Sequence, residues 1–371
     1  MRRALLLALV TVCYLPAPAL ASPPPVHASA YVIQDARTGD VLASYHPHAH
    51  LPIASITKLM TVLVALEHRK LTDVVSADPR AAIVGESTIY LRPHERITVH
   101  DLVEGALVQS ANDAAAALAL SISPNFESFA RLMNAKARAF GMRDTHFVRP
   151  DGLDVPDAYS SAADVTKLGR IAMRNPFIRE TVDQETAQIS GGRTLHTWDD
   201  LLSLFPQTFG VKTGHTSQAG WCQVAAARGS GATIYATLLG SPDRSTRNTD
   251  LESLLIWGLA QFRVVPLVQA GRAYASVQLP YGLAPLQLVA ARAQNGAARI
   301  GHGLTEQVVA PVAVSLPVRQ GEVLGHVEVR DGKRLLITRD LVASRTVNKP
   351  SAIRRLGWYA GRTLHHLAHI F

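Results

Sequence analysis

Cysteine is almost missing from this 371-residue chain, which has two, at positions 13 and 222. Cys13 falls in an N-terminal segment with the character of a leader, so the folded body keeps only Cys222. A lone thiol excludes an internal disulfide framework, and the fold must be held by its core. Aromatic residues are only 6% and charged residues 18%, while apolar residues reach 47%. That balance belongs to a globular protein and excludes disorder. Long basic runs are also lacking. The formal charge is +8, but it is dispersed and no nucleic-acid motif accompanies it. The expected partner of the charge is an anionic lipid or wall-polymer surface, and not nucleic acid. No internal repeat is present, and the N-terminal apolar run falls short of the ~20 residues a membrane span needs.

What is there begins with Arg2 and Arg3, an apolar stretch from Leu5 to Leu15, and Ala19-Leu20-Ala21 before Ser22. This is the layout of a secretory signal peptide over residues 1–21, cleaved after Ala21. The expected destination is the periplasm.

Farther on, Ala30 to Ile33 and Val41 to Tyr45 read as strands joined at Arg37-Thr38-Gly39-Asp40, a hairpin signal. Ser55 to about His68 carries apolar residues at helical spacing, as do Asp101 to Leu107 and Asp113 to Ser121. A further helix over Phe126 to Phe140 is closed by Gly141. Val211 to Thr213, Trp221 to Ala227 and Thr233 to Leu239 read as strands, followed by a helix near Leu251 to Phe262. The pattern predicts an α/β (α+β) catalytic domain over 28–264, an antiparallel sheet flanked by helices. Residues 265–348 read as a small all-β domain with a hairpin at Arg330-Asp331-Gly332-Lys333.

Residues 349–371 form the last segment. On a helical wheel Ile353, Leu356, Tyr359, Ala360, Leu364, Leu367, Ala368, Ile370 and Phe371 share one half, with Arg354, Arg355, Arg362, His365, His366 and His369 on the other. Such a helix is too charged to span a bilayer and is expected to lie in the interface plane, apolar side down. This would attach the protein peripherally to the outer face of the inner membrane.

Three short segments carry chemistry. Ser55-Ile56-Thr57-Lys58 is an S-x-x-K at a helix start, Ser110-Ala111-Asn112 an S-x-N between helices, and Lys212-Thr213-Gly214 a K-T-G on a strand. Lysine is scarce here, and no other S-x-x-K occurs. A second S-x-N at Ser123-Pro124-Asn125 lies in a turn and is set aside. One helical turn puts Lys58 on the same face as Ser55, where a neutral amine can take the hydroxyl proton. Burial lowers a lysine pKa, and Lys212 is expected to lower that of Lys58 further as a second cation. The helix N-terminus favours negative charge at the Ser55 N–H, which suits an oxyanion hole.

Together these segments resemble the low-molecular-mass penicillin-binding proteins, the serine D-Ala-D-Ala carboxypeptidases of peptidase family S11. The resemblance extends over Ala54 to Thr61, Ser110 to Ala114, Asp151 to Asp154, Tyr159 to Ala162 and Lys212 to Thr216. It implies a β-lactamase/transpeptidase-like fold, peptidoglycan stem peptides as substrate, and β-lactams as acylating inhibitors. It also implies that Ser55 is the nucleophile, Lys58 its base, and Ser110 a proton relay to the departing D-alanine. Asn112 would orient Lys58 and the substrate amide, and Lys212 would add positive potential. Thr213 and Arg247, with Arg244 close by, would hold the terminal carboxylate. The His215 N–H, beside Gly214, would be the second oxyanion donor. One departure is Trp198-Asp199-Asp200-Leu201-Leu202, where the family usually has an asparagine before the leucine pair.

No cofactor or metal is expected. His46, His48 and His50 alternate, but Pro47 and Pro52 mark an exposed connection without an evident carboxylate partner. Cys222 reads as a small buried hydrophobe. A class A β-lactamase would need a glutamate followed four residues later by asparagine, and none exists. The alternatives kept are a D,D-endopeptidase of the same family and an inactive wall-binding module.

Overall fold

The computed structural model describes residues 6–13, 22–332 and 334–368. Residues 1–5 and 14–21 of the expected signal peptide, with its cleavage site, lie outside the described residues, as do Lys333 and residues 369–371. The chain divides into two units, Ala21–Ala260 and a second made of Gln261–Phe371 with Met1–Leu20.

In the first unit β1 (Ala30–Asp35) and β2 (Val41–Tyr45) pair antiparallel, Tyr31 facing Tyr45. Between them the Asp35 carboxylate accepts hydrogen bonds from the Arg37 N–H and the Thr38 hydroxyl, fixing the expected turn. A 3-10 turn over Ala54–Thr57 runs into α1 (Lys58–His68). Helix α2 (Val99–Leu107) starts at Thr98, whose hydroxyl accepts the Asp101 N–H. Helix α3 (Asn112–Leu120) is buried along almost its whole length, because its alanines present no bulk to the helices around it. Helix α4 (Phe126–Ala139) is capped by Asn125, so the second S-x-N is a helix cap.

The elements without a counterpart in the sequence reading include α5 (Ala162–Ala172), α6 (Pro176–Val182), and the hairpin of β3 (Thr186–Ile189) with β4 (Arg193–His196). Helix α5 had a legible signal in its Ser161 cap and in Val165, Leu168 and Ala172, all buried.

The last third of the unit supplies β5 (Thr208–Thr216), β6 (Gly220–Gly229), β7 (Ala232–Ser241) and α7 (Arg244–Ala260). The five strands form one antiparallel sheet in the order β2-β1-β7-β6-β5. Thr166 of α5 donates to Thr237 of β7, whereas Gly258 of α7 lies on Ile33 and Ile234, which point to the opposite face. Helices therefore cover both faces. Val224 to Ala227 are fully buried in consequence, and the central strands read as continuous apolar runs without alternation. Cys222 is among them, its thiol pushed up to about 12 by burial.

The second unit is β-rich: β8 (Phe262–Val268), β9 (Ala273–Val277), β10 (Leu286–Ala290), β11 (Gln294–Arg299), β12 (Leu304–Pro311), β13 (Val323–Asp331) and β14 (Arg334–Ala343). Strand β8 pairs with β11, and the larger sheet runs β12-β13-β14-β10-β9. Segment Leu6–Cys13, expected within the signal peptide, is a strand antiparallel to β12. The division before Gln261 falls slightly ahead of the expected boundary. Pro266 sits inside β8 beside a register irregularity, a place where a missing N–H is tolerated.

The chain ends in α8 (Ala352–Ala368). Ile353 and Leu356 are 83% and 69% exposed, while Trp358 and Tyr359 meet Tyr281 edge to face. Among the described residues no helix is long and apolar enough to cross a membrane.

Candidate active site

The S-x-x-K segment is set at a bend. Ala54 has φ +47, a left-handed conformation that costs a non-glycine residue energy. It turns the chain so that Ser55 stands in the 3-10 turn and Lys58 opens α1. Gly152 makes this possible: at φ +83, a Cβ there would fall 2.0 Å from the Ala54 carbonyl oxygen. Gly214 of β5 is equally constrained, since its Cβ would lie 2.8 Å from the Ile53 carbonyl oxygen and 3.1 Å from the Ser55 nitrogen. The glycines of D-G-L-D and K-T-G thus let two backbones close on the serine turn.

Lys58 is fully buried, and its Nζ donates 2.7 Å hydrogen bonds to Ser55 Oγ, Asn112 Oδ1 and the Asp151 carbonyl. Burial lowers its pKa to about 8, against the opposing pull of Asp151, Glu86 and Asp113. Asn112 is held in turn, donating from Nδ2 to the Gly85 carbonyl. Asp113 is buried and accepts the N–H groups of Ile89 and Leu91, pinning the loop that carries Glu86 and Ser87.

Across the site Lys212 donates to Ser110 Oγ at 2.9 Å and to the Thr213 carbonyl at 3.1 Å. Its pKa is pushed well below the ordinary range, first by burial and then by Lys58, with Asp199 opposing. Burial is the main cause of the lowering at both lysines, and their mutual repulsion adds to it. Ser110 has φ +61, a strained conformation at a functional position.

A cavity of about 220 Å³ opens over these groups, lined by Ser55, Ser110, Asn112, Thr213, His215 and Arg247. Every sequence-predicted site residue is thus at this one place, Lys58 and Lys212 beneath it and Gly214 among its walls. Arg247 is 1% exposed and donates to Asp200 Oδ2 at 3.2 Å and to Asn248 Oδ1. Arg244 grips Asp200 through two hydrogen bonds and lies over Trp198; it is not part of the cavity wall.

Sequence reasoning missed Glu86, Trp198 and Trp221 in the wall, and Asp200 as the anchor of both arginines. In the sequence the Asp199-Asp200 pair reads only as a departure from the family pattern. Asp199 is buried against Gln223 at 2.7 Å, and burial pushes its carboxyl up. The alternating histidines do have a carboxylate: His48 meets Asp144 at 2.7 Å, and His50 stacks on Tyr159. Asp144 comes from a distant segment, which is why no partner was evident.

A serine hydroxyl held against a buried lysine of lowered pKa, with a second serine and lysine facing it, defines a lysine-assisted serine acyl-transfer enzyme. The chain belongs to the D-alanyl-D-alanine carboxypeptidase family, peptidase S11, whose match covers residues 17–243. The D-alanyl-D-alanine carboxypeptidase DacD of Escherichia coli is 29% identical, the alignment covering 93% of this chain and 92% of that protein. Penicillin-binding protein 5 of Haemophilus influenzae superposes with a TM-score of 0.65 at 28% identity, over 89% of this chain and 100% of that one. Penicillin-binding protein D2 of Listeria monocytogenes, solved in its ampicillin-bound form, gives 0.58 at 28% identity, over 63% of this chain and 98% of that one. The resemblance read from the sequence, and the fold class it implied, agree with these findings.

Proposed function

We propose that this enzyme removes the terminal D-alanine from peptidoglycan stem peptides through an acyl-enzyme on Ser55. The observation that carries the reading is the 2.7 Å contact between Ser55 Oγ and a fully buried Lys58 with its pKa lowered to about 8. About a tenth of Lys58 is then neutral at pH 7 and able to act as base. Ser55 Oγ attacks the carbonyl carbon between the two D-alanines, and its proton passes to Lys58 Nζ. Developing charge on the carbonyl oxygen falls to the N–H groups of Ser55 and His215. The C–N bond breaks as the departing amine receives a proton through Ser110, which Lys212 holds. Water then hydrolyses the ester and regenerates Ser55.

Asn112 orients Lys58 and the substrate amide. Thr213 and Arg247 receive the terminal carboxylate; the fixed guanidinium, braced by Asp200 and Asn248, is suited to that task. A β-lactam fits the same cavity as a dipeptide mimic, in line with the ampicillin-bound Listeria relative. Agreement in length with DacD through the β-rich unit supports carboxypeptidase over endopeptidase.

Release of D-alanine from a peptide ending in D-Ala-D-Ala tests the reading. Wild type should release it and Ser55→Ala should not, with unchanged circular dichroism; an active Ser55→Ala protein would refute it.

We also propose export through residues 1–21 and peripheral attachment to the outer face of the inner membrane by residues 349–371. The exposed Ile353 and Leu356 beside Arg354 support an interfacial helix. Deleting the residues after Lys349 should abolish sedimentation with anionic vesicles and leave turnover unchanged. Continued sedimentation would contradict the attachment.

A further inference from the structure

The catalytic cavity does not end at the serine. A second cavity of about 480 Å³ shares Glu86 and His215 with it and continues past Thr216 and Ser217, with Arg149 and Asp154 in its wall. Strand β5 lies at the edge of its sheet, with a strand partner on one side only, so its other side is open to an extended peptide. Given the reaction proposed above, on which this subsite rests, the terminal carboxylate meets Thr213 and Arg247 and the scissile carbonyl meets the His215 N–H. An extended peptide advances about 3.3 Å per residue along such a strand. The residue before its D-Ala-D-Ala pair therefore passes Thr216 and enters the second cavity.

The charges of that cavity do not cancel. Arg149 is committed to Asp151 by hydrogen bonds of 3.0 and 2.7 Å. Asp154 accepts the Thr216 hydroxyl at 2.6 Å and the Gln218 N–H at 3.1 Å, both neutral donors, so no cation offsets it. Glu86 makes no hydrogen bond or ion pair with any described residue. Its loop is nevertheless pinned on both sides: the Gly85 carbonyl accepts Asn112 Nδ2 at 2.9 Å, and the Ser87 hydroxyl donates to the Gln109 carbonyl at 2.7 Å. An unpaired carboxylate thus stands on the wall common to both cavities, in a chain whose formal charge is +8.

We propose that Glu86, with Asp154 behind it, is a specificity residue that selects peptides bearing a free side-chain ammonium on the residue before D-Ala-D-Ala. A lysine-type side chain carries its point charge on a flexible carbon stem, which lets it reach from β5 to the shared wall. A cleft lined by charge of one sign concentrates its field on that ammonium. A capped side chain forgoes the contact, and an acidic one is repelled. Glu86 takes no part in the bond-breaking steps through this contact; it sets which stem peptide is held against Ser55.

D-Alanine release from three α-acetylated peptides tests the subsite: L-Lys-D-Ala-D-Ala, the same peptide with its ε-amine also acetylated, and L-Glu-D-Ala-D-Ala. Wild type should prefer the free ε-amine over the acetylated one by about threefold to fivefold in kcat/KM at low salt, mainly through KM, with the glutamate peptide slowest. The preference should shrink as salt is raised. Because Glu86→Gln also acts on the Lys58 base, the ratio between peptides within each protein is what is read, and in the variant it should fall toward one. Equal release from all three peptides, a wild-type preference indifferent to salt, or a wild-type ratio kept by Glu86→Gln overturns the subsite and leaves the carboxypeptidase reading standing. Release from none of the three by wild type overturns both.

Discussion

Changing the pH perturbs the lysine base without altering a residue. Lys58 is lowered from its ordinary 10.5 to about 8, and burial is the main cause. At pH 7 an amine of pKa 8 is neutral in about a tenth of molecules, against roughly one in 3,000 at the ordinary value, a gain of about 300-fold in available base. The acylation rate by a β-lactam should therefore rise about tenfold per unit from pH 6 to 7, bend near 8 and level off by about 9. Because Lys212 is depressed and faces the same site, the bend belongs to the pair. The Glu86 carboxylate favours the charged form of Lys58, against the lowering by burial. Glu86→Gln should then move the bend to lower pH, by less than a full unit since Glu86 is solvent-exposed and screened. Stopped-flow acylation with a chromogenic cephalosporin reads both profiles. A rate that is flat from pH 6 to 8, one still climbing tenfold per unit beyond pH 9.5, or a Glu86→Gln bend moved upward would refute the reasoning.

Further outcomes follow from the packing. Gly214→Ala should cut acylation by about 100-fold with little change in circular dichroism, because a Cβ 2.8 Å from the Ile53 carbonyl pushes the strand off the serine turn. Gly152→Ala should lower stability by about 2–4 kcal/mol in urea unfolding, since left-handed backbone and a 2.0 Å approach to Ala54 both oppose it. Arg247→Gln should reduce kcat/KM on a D-Ala-D-Ala peptide by about 30-fold or more, mostly through KM, and have little effect on an ester lacking the terminal carboxylate.

The parts of the site legible in the sequence are those set by local geometry. Ser55 and Lys58 are one helical turn apart, and Lys212-Thr213-Gly214 sits on a strand whose apolar flanks announce it. The supporting contacts were not legible because they join distant segments. Asp200 reaches Arg244 and Arg247 across more than forty residues, Asp151 offers Lys58 a carbonyl from 93 residues away, and Asp113 pins a loop behind it. The strained φ at Ala54 and Ser110 leaves no trace in residue type, since neither is glycine. For the fold, strand cores were readable and ends were not: β5 begins at Thr208, before the expected Val211. Helix α7 begins at Arg244, well before Leu251, because its first two turns carry the polar residues that hold the site and show no apolar period.

The central claim is that Ser55 is the acylated nucleophile, and intact mass against time after mixing with penicillin G tests it most directly. The account predicts a single long-lived adduct of one penicillin, mapped to the peptide containing Ser55 and missing from Ser55→Ala. An adduct on any other residue, or a labelled Ser55→Ala protein, would contradict it.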